Sequence, residues 1–350
     1  MIATRKIRVL VVDDSAIVRK VLSDSLANQK DIEVVGTAPD PFIARDKILA
    51  LAPDVVTLDI EMPRMDGLTF LKKIMQHHPL PVIVISSLGQ ATSRAAIEAL
   101  SNGAVDVLCK PGGPYSVGEL SQTLADKVRA AAAAKVRRTS STPGAPAAAP
   151  PAPLQRHAFR QSSVIAIGAS TGGTEAITTV LRDIPPGIPG IVVTQHIPAG
   201  FSLAFANRLN QLCAIEVKEA VDGDEVKPGR ALVAPGNFHM FLKRSPHGYS
   251  VAVKSGPRVC YQRPSVDVLF SSVADVAGAD AVGVILTGMG SDGAEGLLKM
   301  KTAGARTIAQ DESTCVVFGM PREAIRNGAV NEVAPLPQIA GVILRTLSRA

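Results

Sequence analysis

The sequence predicts an α/β protein built from two doubly wound, mostly parallel sheet domains. Three observations support this prediction. The chain has 350 residues, which is enough for two domains of ordinary size. Apolar runs alternate with amphipathic, helix-patterned stretches in the first region of the chain, and the same alternation starts again near residue 164. A segment rich in Pro, Ala and Ser separates the two regions, and this composition is typical of a linker.

The first region contains five predicted strands, each followed by a helical pattern. The strands are Ile7–Val12, Ile32–Gly36, Asp54–Leu58, Val82–Ile85 and Ala104–Leu108. Amphipathic stretches such as Ala16–Leu26 and Gly67–Met75 lie between them. Five β-then-α units predict a five-stranded parallel sheet with helices on both faces.

The second region begins in the same way, with a strand, a helix, a second strand and a second helix. Its predicted strands are Val164–Ile167, Ile191–Thr194, Ala231–Ala234, Ser250–Val253 and Val282–Leu286. Around residues 236–253 the pattern favours an inserted hairpin. We therefore expect a second α/β domain that is mostly parallel.

The positive charge of the chain is confined to one short segment. Residues 1–125 carry 13 Lys and Arg against 14 Asp and Glu, residues 126–160 carry 7 against 1, and residues 161–350 carry 17 against 16. Neither predicted domain therefore has the basic surface that nucleic-acid binding requires. We predict a first domain at residues 1–125, a linker at 126–160 and a second domain at 161–350.

The composition also predicts a cytoplasmic protein that does not insert into membranes. Hydrophobic residues make up 46% of the chain, but no run of apolar residues is long enough to cross a bilayer. Asp13 and Asp14 follow the N-terminus too closely for a signal peptide. The 4 cysteines lie far apart and form no CxxC pair, which predicts reduced thiols and neither a zinc site nor a disulfide framework.

Charged and polar side chains stand at the ends of four strands of the first predicted sheet. Asp13 and Asp14 follow strand one, and Asp59, Ser86 and Lys110 follow strands three, four and five. The carboxyl ends of parallel strands lie at one edge of a sheet, where functional groups gather. Three neighbouring carboxylates favour a bound Mg²⁺ ion, and a carboxylate beside Mg²⁺ can attack a phosphoryl group. The hydroxyl and the ammonium group would hold the phosphate oxygens.

Residues 6–125 resemble the receiver domains of two-component response regulators. The stretches VLVVDDSAIVRKVL, DVVTLDIEMPRMDGLTFL, PVIVISS and GAVDVLCKP carry the resemblance, which implies a flavodoxin-like fold with Asp59 as phospho-acceptor. The other residues that the resemblance assigns are the Mg²⁺ ligands Asp14, Asp13, Asp59 and the Glu61 backbone carbonyl, and the switch pair Ser86 and Lys110. Many receivers have threonine where this chain has Ser86, and serine preserves the hydroxyl. A receiver indicates how a protein is controlled, not what it does.

The stretch GASTGG at residues 168–173 follows the first strand of the second region and fits the G-x-S-x-G pattern. Small residues would let the strand turn sharply into a helix and expose the Ser170 hydroxyl beside backbone N–H groups. Serine is also a favoured helix N-cap, so this short pattern leaves both roles open. The stretch lacks the lysine of a P-loop and the spacing of G-x-G-x-x-G.

A nucleophilic serine needs a base, and the base needs an acid that orients it. His196 follows the next strand and is the favoured base by its position, with His239 as the second candidate. Asp292 lies in the glycine-rich loop TGMGSDGAEG after Val282–Leu286. We expect Ser170, His196 and Asp292 at the same sheet edge. Their chain order differs from the Ser–Asp–His order of α/β-hydrolases.

A receiver, a Pro/Ala linker and the motifs IGASTGG, TQHIP and LTGMGSDGAEG together resemble the chemotaxis protein-glutamate methylesterases. The stretches APGNFHM and RPSVDVLF fit the same family. The resemblance implies Ser170 as nucleophile, His196 as base and Asp292 as orienting acid. It also implies an oxyanion hole formed by the backbone N–H groups of Thr171 and Met289.

The resemblance further implies the activity, the partners and the regulation. The expected reactions are hydrolysis of γ-glutamyl methyl esters and deamidation of glutamines in methyl-accepting chemoreceptors, without a cofactor for hydrolysis. The expected phosphodonor is the histidine kinase CheA, and Mg²⁺ is expected only for receiver phosphorylation. The unphosphorylated receiver is expected to cover the mouth of the active site, and phosphorylation of Asp59 is expected to weaken this packing.

Two other classes of function remain open from the residues alone. In the first, the second region binds an anion at GASTGG without turnover, which leaves His196 and Asp292 without a role. In the second, the chain is a DNA-binding response regulator. That class predicts a helix-turn-helix and a basic face, and the sequence of residues 161–350 indicates neither.

Overall fold

The structure is a computed structural model that describes residues 5–87, 89–110, 117–136 and 163–348. Within these residues the chain forms a five-stranded sheet, a seven-stranded sheet and a three-stranded sheet. Most of the predicted linker at 126–160 lies outside the described residues. Among the described helices, none combines the length and the apolar character that a membrane crossing needs.

The N-terminal half has five parallel strands in the order β2-β1-β3-β4-β5. Its elements are β1 (Ile7–Val12), α1 (Ala16–Ala27), β2 (Ile32–Ala38), α2 (Pro41–Leu51), β3 (Val55–Asp59), α3 (Gly67–His77), β4 (Val82–Ser86), α4 (Gln90–Ser101), β5 (Asp106–Cys109) and α5 (Val117–Ala132). The prediction of a five-stranded parallel sheet is confirmed. Helix α5 continues to Ala132, beyond the predicted domain end at residue 125.

The side chains of β1 explain why helices cover both faces of this sheet. Val9 and Val11 are buried in one cluster with side chains of α1 and α5. Leu10 and Val12 are buried in a second cluster with side chains of α2 and α3. Successive side chains of a strand point to opposite faces, so a strand that is buried on both faces is a continuous apolar run. Polar side chains are therefore found where the strands end.

The C-terminal half contains a seven-stranded sheet in the order β15-β14-β13-β6-β7-β10-β8, and each neighbouring pair is parallel. Its elements are β6 (Val164–Ala169), α6 (Gly173–Arg182), β7 (Gly190–Gln195), α7 (Phe201–Leu212), β8 (Glu216–Glu219), β9 (Glu225–Val226), β10 (Arg230–Val233), β11 (His239–Ser245), β12 (Gly248–Lys254), α8 (Val266–Ala277), β13 (Ala281–Ile285), α9 (Ala294–Thr302), β14 (Arg306–Gln310), α10 (Met320–Arg326), β15 (Glu332–Ala334) and α11 (Leu336–Ser348). The strand order reverses beside β6, because β7 lies on one side of it and β13 on the other. Ligands of open α/β sheets bind at the carboxyl ends of the strands at such a reversal.

The hairpin predicted around residues 236–253 is present as β11 and β12, which pair antiparallel, and β9 pairs with β12. Buried side chains of the hairpin, including Met240 and Val251, share a cluster with side chains of α8. The Ser265 backbone N–H donates to His239 Nδ1 at 3.2 Å and joins the start of β11 to the start of α8. The hairpin thus supports the N-terminus of α8.

The two halves are in direct contact. Helix α4 packs against α6 and α7, and Ser101 Oγ donates to Glu175 Oε1 at 2.8 Å. After α5, the Lys135 backbone N–H donates to the Val316 carbonyl at 3.3 Å. The N-terminal half therefore lies beside the residues that follow β6, β7 and β14.

Candidate active site

Ser170 lies in the tight turn between β6 and α6. The residue that caps α6 is Gly172, whose φ is 76°, and no side chain caps this helix. The alternative role of Ser170 as a helix N-cap is therefore wrong. A Cβ atom at Gly172 would lie 2.6 Å from the Val316 Cβ, so both the backbone angle and the close packing require glycine here. The turn leaves the Ser170 side chain in a cleft at the sheet edge.

His196 and Asp292 are in direct contact at this edge. His196 follows β7, Asp292 lies in the loop after β13, and the distance between His196 Nε2 and Asp292 Oδ2 is 2.7 Å. A carboxylate only accepts hydrogen bonds, so Nε2 carries the proton of the neutral ring and Nδ1 keeps a lone pair. His196 Nδ1 is buried and has no hydrogen-bond partner among the described residues. It is therefore the ring nitrogen that is available as a base.

Three donors at the start of α8 hold the Asp292 carboxylate. Ser265 Oγ and the Asp267 backbone N–H donate to Oδ1 at 2.8 and 3.0 Å, and the Val266 backbone N–H donates to Oδ2 at 2.8 Å. Burial raises the pKa of Asp292, but the hydrogen bond and charge of His196 and the backbone donors outweigh it. The pKa of Asp292 therefore lies below its usual value. The N-terminal end of a helix also favours a negative charge.

His239, the second candidate base, uses both ring nitrogens elsewhere. Nδ1 accepts from the Ser265 backbone N–H at 3.2 Å, and Nε2 donates to the Pro257 carbonyl at 2.8 Å. The side chain is buried between β11 and the loop that precedes α8. His239 is therefore not available as a base, and it supports this loop.

Backbone N–H groups beside Ser170 can donate hydrogen bonds to a developing negative charge. The Ser170 N–H itself donates to the Thr287 carbonyl at 3.0 Å. In the described part of the chain, the N–H groups of Thr171 and Met289 have no such acceptor, and both residues line the cleft. A Cβ atom at Gly288 would lie 2.7 Å from the Ser170 Cβ, so glycine is needed for the loop before Met289 to approach this closely.

Gln195 is a functional candidate that sequence reasoning missed. Its Nε2 atom donates to the carbonyls of Ser170 at 2.8 Å and His196 at 3.2 Å, and the side chain is buried. One amide group thus joins the residue that follows β6 to the residue that follows β7. The only signal in the sequence was a glutamine directly before the histidine. The role of Ser265 was also missed, because its hydrogen-bond partner Asp292 is distant in sequence.

The N-terminal half forms one wall of the cleft that contains Ser170 and His196. The cleft has a volume of about 380 Å³, and side chains of α5 line it together with the loops that carry Ser170, His196 and Asp292. Thr171 Oγ1 donates to Asp106 Oδ2 at 2.7 Å, and this contact between the halves is buried. Asp106 Oδ1 accepts from Lys127 Nζ of α5 at 2.5 Å. The halves are thus hydrogen-bonded at the residue that follows Ser170.

Three carboxylates meet at the carboxyl edge of the N-terminal sheet. Oxygen atoms of Asp13, Asp14 and Asp59 lie within 4.8 Å of one another. Lys110 Nζ lies 2.8 Å from Asp59 Oδ2 and 3.4 Å from Asp13 Oδ2. Burial, with a further contribution from the charge of Asp13, raises the pKa of Asp59 to about 6. Burial lowers the pKa of Lys110, but its contacts with Asp59 outweigh this effect, so the pKa lies above its usual value.

The structure brings Lys110, but not the Ser86 hydroxyl, to Asp59. Ser86 Oγ is buried and makes long hydrogen bonds to the carbonyls of Ser87 at 3.4 Å and Thr92 at 3.5 Å. The Glu61 backbone N–H donates to Asp59 Oδ1 at 3.2 Å. Glu61 therefore adjoins Asp59 through its backbone, and Ser86 would need to rotate to reach a group bound there.

Two family models match the chain. The CheB methylesterase model matches residues 165–343, and the response regulator receiver domain model matches residues 9–122. A protein of Syntrophus aciditrophicus (strain SB), named protein-glutamate methylesterase/protein-glutamine glutaminase 2, is 58% identical over 97% of this chain and 99% of its own length. Protein-glutamate methylesterase/protein-glutamine glutaminase 4 of Anaeromyxobacter dehalogenans (strain 2CP-C) is 58% identical over 99% of this chain and 96% of its own length.

A solved structure shows the same architecture for the C-terminal half. The crystal structure of the Thermotoga maritima CheB methylesterase catalytic domain aligns with a TM-score of 0.52 and 38% identity, covering 53% of this chain and 98% of that chain. Its sheet fold agrees with the predicted second α/β domain. The two matched models and the identity over the whole chain show the family. The chain therefore belongs to the CheB methylesterase family, with a response regulator receiver domain in its N-terminal half.

Proposed function

We propose that Ser170, His196 and Asp292 carry out the hydrolase reaction of this family. The substrates we propose are γ-glutamyl methyl esters and selected glutamine side chains of methyl-accepting chemoreceptors. The observation that supports this most directly is the 2.7 Å contact between His196 Nε2 and Asp292, with Nδ1 buried and unpartnered among the described residues. An anion-binding module does not require a buried histidine whose Nδ1 atom is left without a partner.

In the proposed reaction, Ser170 Oγ attacks the side-chain carbonyl carbon while His196 Nδ1 takes the hydroxyl proton. The tetrahedral oxyanion accepts hydrogen bonds from the Thr171 and Met289 N–H groups, each worth roughly 3 kcal/mol of barrier. The protonated histidine then gives its proton to the leaving methoxide, and methanol departs. Water attacks the acyl-enzyme by the same route and releases glutamate. For glutamine the leaving group is ammonia, and the other steps are unchanged.

Asp292 acts by holding the His196 ring in one orientation and one tautomer. Within the described residues no hydrogen bond joins Ser170 Oγ to His196, and such bonds often tighten only when substrate binds. The Asp292 carboxylate itself has four contacts, from His196, Ser265 and two backbone N–H groups. It therefore stays ionised and in place while the charge on His196 changes during the reaction.

The N-terminal half is proposed to accept a phosphoryl group on Asp59. The three carboxylates fit a hard divalent cation, because their oxygen atoms lie within 4.8 Å of one another and, in the described residues, the buried Asp13 Oδ2 has only the 3.4 Å ion pair with Lys110 Nζ. Asp13, Asp14 and Asp59, with the Glu61 backbone carbonyl, would hold Mg²⁺, which neutralises phosphoryl and carboxylate oxygens when bound. Lys110 already contacts Asp59 and would pair with the new phosphate oxygens, and the Ser86 hydroxyl would rotate toward them.

Phosphorylation is proposed to open the cleft. The contact of α5 with the cleft and the Asp106–Thr171 hydrogen bond support an inhibited state in which the receiver blocks access of a protein substrate. We name the arrangement in which α5 lines the cleft and Thr171 is hydrogen-bonded to Asp106 the closed state. A doubly charged group at Asp59 biases the equilibrium away from it. We propose a histidine kinase of the CheA type as the phosphodonor. We propose the cytoplasm as the compartment in which this protein meets the kinase and the receptor helices.

The domain limits proposed from the sequence need one adjustment. Because α5 continues to Ala132 and contacts Asp106 through Lys127, the receiver is proposed to extend to Ala132, where this helix ends. We propose residues 133–160 as the linker and 161–350 as the catalytic domain.

The test is methanol release from membranes that carry methylated receptors, with and without Mg²⁺ and a small phosphodonor. We expect release that rises with the phosphodonor and falls at least ~1000-fold in Ser170→Ala. Ser291→Ala is the matched control, because Ser291 lines the same cleft but has no proposed role. Its rate should stay near that of the wild type. Absence of release from the wild type in every condition would favour the anion-binding module.

A further inference from the structure

A tight turn at the rim of the active-site cleft has an unusual backbone. Val259 and Gln262 form an antiparallel bridge, with reciprocal backbone hydrogen bonds of 3.1 and 2.8 Å. The two residues between them, Cys260 and Tyr261, have φ values of 49° and 62°. Positive φ at both central positions is the pattern of a type I′ hairpin turn, in which Asn-Gly is the preferred pair.

The residues at these positions are poorly suited to the backbone that they adopt. Positive φ is uncommon for residues other than glycine, and bulky side chains are less tolerant of it than asparagine or glycine. Residues held in such conformations are concentrated at functional sites. The Cys260–Tyr261 pair therefore indicates a function of the side chains that outweighs the steric cost.

The base of the turn is held firmly. The Arg263 guanidinium donates to Asn237 Oδ1 at 2.6 and 3.1 Å and to the Gly256 carbonyl. His239 Nε2 donates to the Pro257 carbonyl at 2.8 Å on the other side of the turn. These contacts fix the turn to the start of β11, and His239 Nδ1 accepts from the Ser265 N–H at the start of α8, the element that holds Asp292. A side chain at its tip has a defined position relative to the reacting groups.

Tyr261 occupies this tip and is 80% exposed, although it lines the same cleft as Ser170 and His196. Across the cleft lies α5 of the receiver, with Gln122 and Asp126 on the opposite wall. Tyr261 has this exposure in the closed state, so most of its surface is accessible at the rim of the cleft even with the receiver in place.

We propose that Tyr261 is a docking residue for the protein segment that carries the target glutamyl side chain. This inference rests on the hydrolase function proposed above. Tyrosine offers a large apolar face and a hydroxyl at a small cost in side-chain entropy, and it is enriched among the residues that dominate protein interfaces. The continuity of the turn with the cleft makes the substrate protein its occupant. Tyr261 contacts the surface around the scissile group and takes no part in the chemistry.

The experiment compares a protein substrate with a small ester that has the same reactive group. Wild type, Tyr261→Gly and Tyr261→Phe are activated with Mg²⁺ and a small phosphodonor, and methanol release is measured from methylated receptor membranes and from the γ-methyl ester of N-acetylglutamate amide. For Tyr261→Gly we expect kcat/KM on the receptor to fall about tenfold through KM, because removal of an interface residue weakens binding. Its kcat/KM on the small ester should stay within about twofold of the wild type. Tyr261→Phe should lose less on the receptor, because it keeps the ring.

Glycine at position 261 relieves the positive φ, so Tyr261→Gly should have an unchanged or higher Tm, and loss of activity cannot then result from misfolding. Leu49→Ala is the control for removal of an exposed apolar side chain, since Leu49 is 67% exposed on α2 of the receiver. Receptor turnover by Tyr261→Gly within about twofold of the wild type, or an equal loss on both substrates, would overturn the docking role. No methanol from the wild type on either substrate would instead remove the hydrolase function itself.

Discussion

Removal of the Thr171 hydroxyl should raise the activity of the unphosphorylated protein. Thr171 Oγ1 donates to Asp106 Oδ2 at 2.7 Å across the contact between the halves, and both residues are buried. Thr171→Val keeps the branched shape and the backbone N–H, but it deletes the donor. The substitution should destabilise the closed state alone, because water can solvate Asp106 once the halves separate.

The magnitude follows from the partners that remain. Asp106 Oδ1 keeps Lys127 Nζ at 2.5 Å and the Val107 N–H at 2.8 Å, whereas Oδ2 has no other hydrogen bond within the described residues. An unsatisfied buried polar group costs about 1–3 kcal/mol. This free energy changes the ratio of closed to open molecules by about 5- to 150-fold. The basal rate should rise by a factor in this range, with the rate of the phosphorylated enzyme as the ceiling.

The assay is methanol release from methylated receptor membranes without a phosphodonor. Thr171→Ser keeps the hydroxyl and is the control, so its basal rate should stay near that of the wild type. With Mg²⁺ and a phosphodonor the three proteins should converge, because few molecules remain closed. A basal rate of Thr171→Val within about twofold of the wild type, with a normal activated rate, would refute the reasoning, since even 1 kcal/mol exceeds that change.

Three other contacts lead to measurable expectations. Ser265→Ala removes the hydroxyl that donates to Asp292, so kcat should fall about 10-fold with KM unchanged. Ser265→Thr should retain most activity. An unchanged kcat in Ser265→Ala would mean that the backbone donors are sufficient to hold Asp292. Burial raises the pKa of Asp267 to about 6, so folded stability is lost as the pH rises through that value. In calorimetry, Asp267→Asn should therefore raise Tm by about 2–4 °C near pH 7.5 and by much less near pH 4.5, after allowance for the partial exposure of the Asp267 side chain. An equal shift of Tm at both pH values would contradict the raised pKa. Mg²⁺ should raise the Tm of the receiver, and chelation should reverse the gain, because the ion relieves repulsion between three carboxylates. Asp59→Asn should lose most of this gain, and a gain equal to that of the wild type would place the ion elsewhere.

The sequence predicts best those strands that are buried on both faces. The predicted strand Ile7–Val12 coincides with β1, and Val164–Ile167 lies within β6. The edge strands β8 and β15 had no prediction, because they are short and carry glutamates that face solvent. Inside the sheet, β14 was also not predicted, because polar residues interrupt its short apolar run. The polar residues of β14 can be buried because they have hydrogen-bond partners, and these partners come from other parts of the chain.

The strand-end rule predicts which side chains meet, but not what holds them. The placement of Ser170, His196 and Asp292 at one edge follows from the ends of β6, β7 and β13. The ring nitrogen that is available as a base could not be predicted, because it depends on the orientation of the imidazole relative to the carboxylate. Gln195 and Ser265 were missed for the same physical reason. Each acts through hydrogen bonds to atoms of other elements, and no local pattern encodes such contacts.

Strand β5 connects the two sites of the molecule. Lys110, just after its carboxyl end, contacts Asp59 at 2.8 Å, and Asp106, its first residue, accepts from Thr171 at 2.7 Å. Only the length of one short, buried strand separates these two contacts. A packed core changes between discrete arrangements more readily than it deforms gradually, so a displacement at one end of the strand is expected at the other end. We therefore expect that a phosphoryl group on Asp59 displaces Lys110 and β5 and thereby weakens the hydrogen bond from Thr171 to Asp106. Lys127 joins α5 to the same carboxylate, so the helix that lines the cleft shifts with the strand. A substitution on the catalytic side of that bond can therefore reproduce part of the effect of phosphorylation.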